Sequence, residues 1–446
     1  MPEENIMQRE RIPSLVMKMS LPMMLSMLIQ ALYNVVDSVF VARVSEAALT
    51  AVSLAFPLQN LMIAVAIGTA VGVNSLIARR LGEGKYEDAN QAADTGIFLS
   101  FMSYIAFALI GIFLTKPFFM LFTSDAELLK LSDGYASICL ILSFGIFIDI
   151  TCERIIQATG DTIKTMFTQG AGAITNIILD PVFIFGFGMG VYGAAVATVI
   201  GQMVSMVLAI YFVRKNKFVH IRFKQIKPSM KITKEIYQVG LPTIIMNSVG
   251  TIMVSLLNGI LISFSALAVS VFGVYFKLQS FVFMPVFGLN NGLIPILGFN
   301  YGARNKTRMI HTMKFGLLIA MSVMILGTLL FQLAPAFLLS LFNASDAMLA
   351  IGIPALRIIS LCFIPASISI ILIASFQATG FGVASMMVSI IRQLLVLCPV
   401  AYILGNVIGV NGVWYAFLIA ELFGLSFSFL FFIHVYRKKI KILDNK

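Results

Sequence analysis

The chain has 446 residues with 38 Phe and only 11% charged side chains, and its mean hydropathy is +0.96; soluble domains carry far more charge and less apolar surface. A formal charge of +11 would suit a nucleic-acid binder, but its distribution argues otherwise. With the N-terminus placed in the cytoplasm, the 31 Lys and Arg divide into 24 cytoplasmic, 3 outside (Arg43, Lys116, Lys130) and 4 within apolar segments (Arg154, Lys277, Arg357, Arg392). That asymmetry follows the positive-inside rule, so no nucleic-acid partner is expected.

Residues 1–12 hold three Glu and two Arg, and no small-residue cleavage site follows the first apolar run, so a retained first helix is expected rather than a removable signal peptide. Twelve apolar segments follow, near 13–41, 47–74, 91–115, 131–158, 162–187, 191–213, 237–262, 266–295, 310–334, 350–378, 382–405 and 411–435. Runs of that length satisfy their backbone polar groups within the membrane as helices. The alternating segments of about ten residues that mark a β-barrel are missing. The predicted fold is an all-α polytopic membrane protein of twelve transmembrane helices.

Within the first segment, Tyr33 precedes Asp37 by four residues, Gln30 by seven and Met27 by ten, which stacks them on one helical face. The turns Arg79-Arg-Leu-Gly-Glu-Gly-Lys85 and Asn300-Tyr-Gly-Ala-Arg304 resemble phosphate loops only superficially and are read as cytoplasmic turns. The fourth segment carries Asp149, Glu153 and Arg154, for which an ion pair or snorkelling side chains near the cytoplasmic end are expected. In the fifth, Asn176 precedes Asp180 by four, and Pro181 lacks the donor that would occupy the Ile177 carbonyl. Thr198 in the sixth reaches the same depth. Eight basic residues between Arg214 and Lys234 read as a topogenic loop. The four cysteines (139, 152, 362, 398) show no paired spacing and are expected to be buried as small apolar side chains.

The chain then repeats itself at a shift near 220. Leu21-Pro22 returns as Leu241-Pro242, Phe56 and Gln59 as Phe276 and Gln279, and Gly72, Gly82 and Gly96 as Gly292, Gly302 and Gly316. Gln157-Ala-Thr-Gly160 returns unchanged as Gln377-Ala-Thr-Gly380, and Gly190-Val-Tyr-Gly193 as Gly409-Val-Asn-Gly412. The reading is an N-lobe at 1–213, a basic linker at 214–236 and a C-lobe at 237–446. Six spans per copy is an even number, so the lobes are parallel and related by a pseudo-two-fold axis along the membrane normal. Such halves enclose a cleft that rocking exposes to either side, the plan of a secondary transporter. No G-x-x-x-x-G-K-[ST] stretch is present to bind a nucleotide.

A carboxylate at a helix centre costs about 2.5 to 3.5 kcal/mol of insertion free energy, which singles out Asp37, Asp149, Glu153, Asp180 and Glu421. Asp37 and Asp180 fall at equal depth. With Asn176 and Thr198 they make an oxygen-only set suited to Na⁺, or to a proton shared between the carboxylates. Counterparts of Asp37, Asp180 and Thr198 in the second copy fall at or next to Leu257, Cys398 and Phe417, so the fold alone does not require the acids. Glu421 matches Gln202, a position polar in both copies. Met27, Gln30 and Met246 are candidates for a cleft that accepts varied ligands; Asn34 and Gln279 join them as substrate-binding candidates.

Leu21-Pro22, Tyr33-Asn-Val-Val-Asp37, both Gln-Ala-Thr-Gly strings and Asn176-Ile-Ile-Leu-Asp-Pro181 together resemble the multidrug and toxic compound extrusion (MATE) family, in its prokaryotic DinF and MepA-like branch, over essentially the whole chain. The resemblance implies export of organic, often cationic, drug-like compounds in exchange for Na⁺ or H⁺. It further implies an ion-coupling site at Asp37, Asn176, Asp180, Thr198 and Tyr33, which would also hold Na⁺ in a sodium-coupled member. Met27 and Gln30 match cavity positions, and Pro22 matches a first-helix proline linked to bending. Acids that another branch uses in spans seven and ten are absent here, which argues against a C-lobe cation site. No cofactor beyond the coupling ion, no enzymatic activity, a monomer in contact with membrane lipid, and a multi-pass place in the inner membrane with both termini cytoplasmic are expected. The alternative in the same superfamily, a lipid-linked saccharide flippase, would want a cleft lined with many cations, and only Lys277, Arg357 and Arg392 are available. An embedded enzyme would cluster His, Cys or Ser with a base, yet His220, His311 and His434 lie far apart at membrane edges. A major-facilitator transporter would carry a Gly-x-x-x-Asp loop between spans two and three, which is not found.

Overall fold

The computed structural model describes residues 5–221 and 228–444. Its long helices run in chain order as α1 (Ile12–Ala42), α2 (Glu46–Gly82), α3 (Tyr86–Phe113), α4 (Ala126–Ile141 continued by Phe144–Ala158), α5 (Thr162–Pro181) and α6 (Val191–Arg214). The second set is α7 (Met230–Ile262), α8 (Ala266–Gly302), α9 (Lys306–Leu333), α10 (Asp346–Ser360 continued by Phe363–Ala378), α11 (Gly382–Ile408) and α12 (Val410–Val435). Among the described residues, nine of these helices are long and apolar enough to cross a membrane, and α4 and α10 qualify as bent pairs, broken by 45° and 46°. The twelfth, α5, falls below that apolarity because it carries Thr, Gln, Asn and Asp side chains inward; hydropathy alone undercounts a helix that lines a polar cavity.

The predicted segments hold, with longer ends. α2 and α8 extend to Gly82 and Gly302, well past the apolar runs ending at 74 and 295. The predicted linker 214–236 is shorter than expected, since α6 reaches Arg214 and α7 starts at Met230; positions 222–227 of its basic cluster lie outside the described residues, as do Glu3 and Glu4. All four cysteines are buried and free.

The internal repeat governs even the helix caps. Ser45 accepts from the Ala48 amide at 3.0 Å and its twin Ser265 from Ala268 at 3.1 Å, while Asp125 and its twin Ser345 cap α4 and α10; each supplies an acceptor to an amide that the helix leaves unpaired. In both Gln-Ala-Thr-Gly strings the glycine is left-handed, Gly160 at φ +97° and Gly380 at +75°, which lets the chain leave α4 and α10 and re-enter the bundle.

The lobes meet through α1 against α8 and α2 against α7, a pairing that the pseudo-two-fold axis exchanges. Contact concentrates at the end that carries both termini. There a Cβ on Gly82 would lie 2.0 Å from the Phe299 carbonyl oxygen, and one on Gly302 would lie 2.1 Å from that of Arg79. Small residues let helix backbones approach and gain van der Waals contact, which matters where the lipid supplies no hydrophobic drive between helices. The same end is tied by Arg80 to Glu235 at 2.6 Å, Ser75 Oγ to the Gln377 carbonyl at 2.5 Å, and Arg308 Nη2 to the Met7 and Glu10 carbonyls at 2.9 and 2.8 Å. Toward the far end the last cross-lobe hydrogen bond among the described residues joins Asn60 to Thr251. Beyond it Asn34, Ser38, Ser53, Ser255 and Ser270 are exposed. The lobes are thus joined at the terminal end and parted at the other.

Candidate functional site

Each lobe holds a cavity of its own inside its ring of helices. The N-lobe cavity, about 140 Å³, lies among α1, α4, α5 and α6 and is lined by Gln30, Tyr33, Asp149, Glu153, Asn176 and Thr198, among others. α1 supplies its face because Ser26, Ile29, Gln30 and Tyr33 recur at helical spacing. α5 supplies Gln169, Gly172, Ala173 and Asn176 by the same rule.

Asp37 and Asp180, from α1 and α5, meet within hydrogen-bonding reach of each other. Asp180 is fully buried and Asn176 nearly so. Asn176 Nδ2 donates to Asp180 Oδ1 and to Thr198 Oγ1, both at 3.3 Å, which joins α5 to α6. Among the described residues no donor reaches Asp37 Oδ1, Asp180 Oδ2 or Asn176 Oδ1, all three of them buried. Two ionised carboxylates in contact repel, so a proton between them or a small cation relieves the pair. Three unpartnered oxygens beside a threonine hydroxyl are the chemistry a hard monovalent cation takes up.

Of the sequence-derived site residues, Asp37, Asn176, Asp180 and Thr198 come together, and Tyr33 and Gln30 line the cavity that leads to them. Met27 is half-buried on α1 and Asn34 is exposed; neither lines the cavity. Met246 lines neither lobe cavity, whereas Gln279 lines that of the C-lobe. Pro22 is buried within an α1 that runs on through it as a single helix.

Asp149, Glu153 and Arg154 differ from expectation. No ion pair joins Arg154 to either acid among the described residues. Glu153 accepts from Thr168 Oγ1 at 2.6 Å and from Gln169 Nε2 at 2.7 Å, while Arg154 turns away to Gln157 Oε1 at 3.0 Å. Neighbouring residues on a helix point about 100° apart, so Glu153 and Arg154 cannot share a face. Asp149 and Glu153, four apart, do share one, and both line the N-lobe cavity. The i, i+4 spacing was the available signal.

In the C-lobe the matching cavity, about 330 Å³, is aromatic. Arg392 Nη1 donates to both Glu421 oxygens at 3.1 and 3.0 Å, so the two charges neutralise each other. Gln202 and Glu421, twins in the repeat, each line their own lobe's cavity. Lys277 is exposed and lines neither.

A paired-lobe bundle with a polar cavity in one half, closed at one end and parted at the other, defines a membrane transporter of the two-lobe, parallel-repeat class. The MatE family model matches the chain twice, at residues 22–182 and 242–403, once in each lobe, and the chain belongs to that family. It is 26% identical to the multidrug export protein MepA of Staphylococcus haemolyticus over 428 residues, 96% of this chain and 94% of that protein. A similar level, 26% over 429 residues and 94% of each chain, relates it to MepA of Staphylococcus aureus. Among solved structures, a multidrug resistance MATE transporter of the MOP superfamily in its outward-facing conformation superposes with a TM-score of 0.93 at 27% identity, covering 100% of this chain and 99% of that one. A MOP superfamily transporter from Pyrococcus furiosus, described as having a binding pocket of reverse polarity, gives 0.92 at 28%, covering 99% and 98%.

Proposed function

We propose that the protein exports organic, chiefly cationic, compounds from the cytoplasm in exchange for entry of Na⁺ or H⁺. The observation that carries this reading is the convergence of the unpartnered oxygens of Asp37, Asp180 and Asn176 beside the N-lobe cavity, with no acids at the twin positions of the C-lobe. Kinship with multidrug export proteins supports the class of substrate. The excess of basic residues at the terminal end supports a cytoplasmic placement of that end at the plasma membrane, and in this reading the parted end is extracellular and the state outward-facing.

In that state the coupling ion enters from outside and settles between Asp37 and Asp180. The ion and an organic cation on the Gln30 and Tyr33 face compete, because both relieve the same buried negative charge; exchange needs only that the two disfavour joint occupancy. The lobes 1–213 and 237–446 then rock about the linker. Opening to the cytoplasm breaks the contacts at Gly82, Gly302, Arg80 and Ser75. Inward passage of one positive charge contributes about 2.3 kcal/mol per 100 mV. The cycle needs no cofactor, no bond-making chemistry and no second copy of the chain.

Dye efflux from vesicles containing the purified protein, with Na⁺ and pH gradients imposed separately, tests the reading. Efflux driven by at least one gradient and lost in Asp37→Asn is the expected result. Efflux that ignores both gradients, or that survives in Asp37→Asn, overturns it.

A further inference from the structure

The C-lobe cavity is absent from the exchange cycle above, yet it is built. Its walls are Tyr275, Phe276, Phe283, Phe287 and Phe417, and its volume, about 330 Å³, falls at the lower end of small-ligand sites. α11 is not a regular helix here. It widens into a π-helical stretch over Ile391–Leu397, an irregularity that commonly accompanies functional sites, and this stretch carries Arg392 and Gln393 into the cavity. The Arg392 stem lies against Gly424, where a Cβ would come within 2.8 Å of it. That missing side chain lets the guanidinium reach Glu421, one turn earlier on α12.

The pair leaves binding capacity unused. Only Nη1 of Arg392 is engaged with Glu421; Nε and Nη2 donate to no protein acceptor among the described residues. The Arg392 side chain stays 20% exposed at this depth, against 9% for Glu421, so the accessible member of the pair is the cation. Beside it, Gln393 Oε1 is buried without a donor.

We propose that this cavity is a second organic-ligand site, selective for flat aromatic carboxylates. The ligand's rings lie among the five aromatic side chains, its carboxylate takes the free guanidinium edge in the forked geometry arginine offers, and a ring N–H or hydroxyl on the ligand donates to Gln393 Oε1. The N-lobe cavity, lined by acids, repels the same anion. One transporter thereby holds two sites of opposite charge preference, one per lobe.

The chain's single tryptophan reports this site directly. Trp414 stacks on Phe272 at 6.4 Å between ring centroids, and Phe272 in turn contacts Phe276 and Phe417 of the cavity wall at 4.9 and 6.0 Å. In detergent or nanodiscs, titrating the protein with 9-anthracenecarboxylate, which accepts tryptophan emission, should quench Trp414 saturably, and 9-(aminomethyl)anthracene should do so at least about tenfold more weakly. Arg392→Gln alone leaves Glu421 uncompensated and risks the fold, so the decisive variant is Arg392→Gln with Glu421→Gln, which removes both charges. It should lose the preference for the anthracene acid over the amine while keeping its thermal transition. Gln393→Leu should weaken the acid a few-fold, and Asp37→Asn should leave its binding unchanged. Non-saturable quenching in the wild type, an amine that binds as tightly as the acid, or unchanged selectivity in the doubly neutralised variant would each overturn the proposal.

Discussion

The two lobes share helices, caps and glycine turns, but they treat charge in opposite ways. The N-lobe gathers Asp37 and Asp180 with no basic partner and leaves three buried oxygens without a donor. The C-lobe closes its one deep acid, Glu421, onto Arg392. A buried charge that the protein leaves unsatisfied is expensive, and one paired internally is far less so. The lobe that carries the unrelieved cost is the one in which a proton or a small cation would lower it; its twin has the same architecture without that demand. Duplication therefore supplied the frame, and divergence at a few positions separated the chemistry.

The comparison breaks most visibly at Asp180. Asp180→Asn removes half of the carboxyl pair and should abolish gradient-driven dye efflux, with amounts of inserted protein unchanged by membrane fractionation; wild-type efflux would return the cluster to a structural role. Next is Glu153→Gln. Thr168 and Gln169 both donate to this side chain, which lines the N-lobe cavity, so loss of the carboxyl group should lower efflux at least about tenfold. Unaltered rates would limit the N-lobe chemistry to Asp37 and Asp180.

The joined and parted ends offer a second contrast. Gly302→Val forces a branched side chain against the Arg79 backbone and should cost about 1 to 3 kcal/mol through overpacking, opening the terminal end. Faster thiol labelling of a cysteine introduced at Ser75 would register it. Arg80→Gln, at a partly exposed pair, should cost about 0.2 to 1 kcal/mol and raise the same labelling rate by no more than about fivefold. The smallest effect is expected at Lys277→Gln: the residue is exposed and outside both cavities, so efflux should stay within about twofold of the parent. A larger loss there would place Lys277 on the ligand's path.

Much of this was legible in the residues. The bundle, the duplication and the pairing of Asp37 with Asp180 followed from hydropathy, self-similarity and helical spacing. So did the inward face of Gln30 and Tyr33. The ion pair expected among Asp149, Glu153 and Arg154 is not formed among the described residues, because Arg154 turns to Gln157 while Glu153 faces Thr168 and Gln169. Met27, stacked below Asp37 by helical spacing, and Met246, expected there as a flexible side chain suited to varied ligands, line neither cavity. For Met27, ten residues along a 3.6-residue helix drift off the face that four or seven residues keep.

Hydropathy and period belong to each helix separately, and here they determined which segments are long and apolar enough to cross and which acids they carry. The tertiary structure alone decided which side chains confront one another across helices. The wide turn in α11 rotates Arg392 out of register with a regular helix, and the gap at Gly424 then lets it reach Glu421. Neither a local irregularity in hydrogen bonding nor the contact of two distant backbones leaves a periodic trace in the sequence. For that reason the choice of Arg392 over Lys277 as the partner of Glu421, and the aromatic cavity around the pair, became visible only in the folded chain.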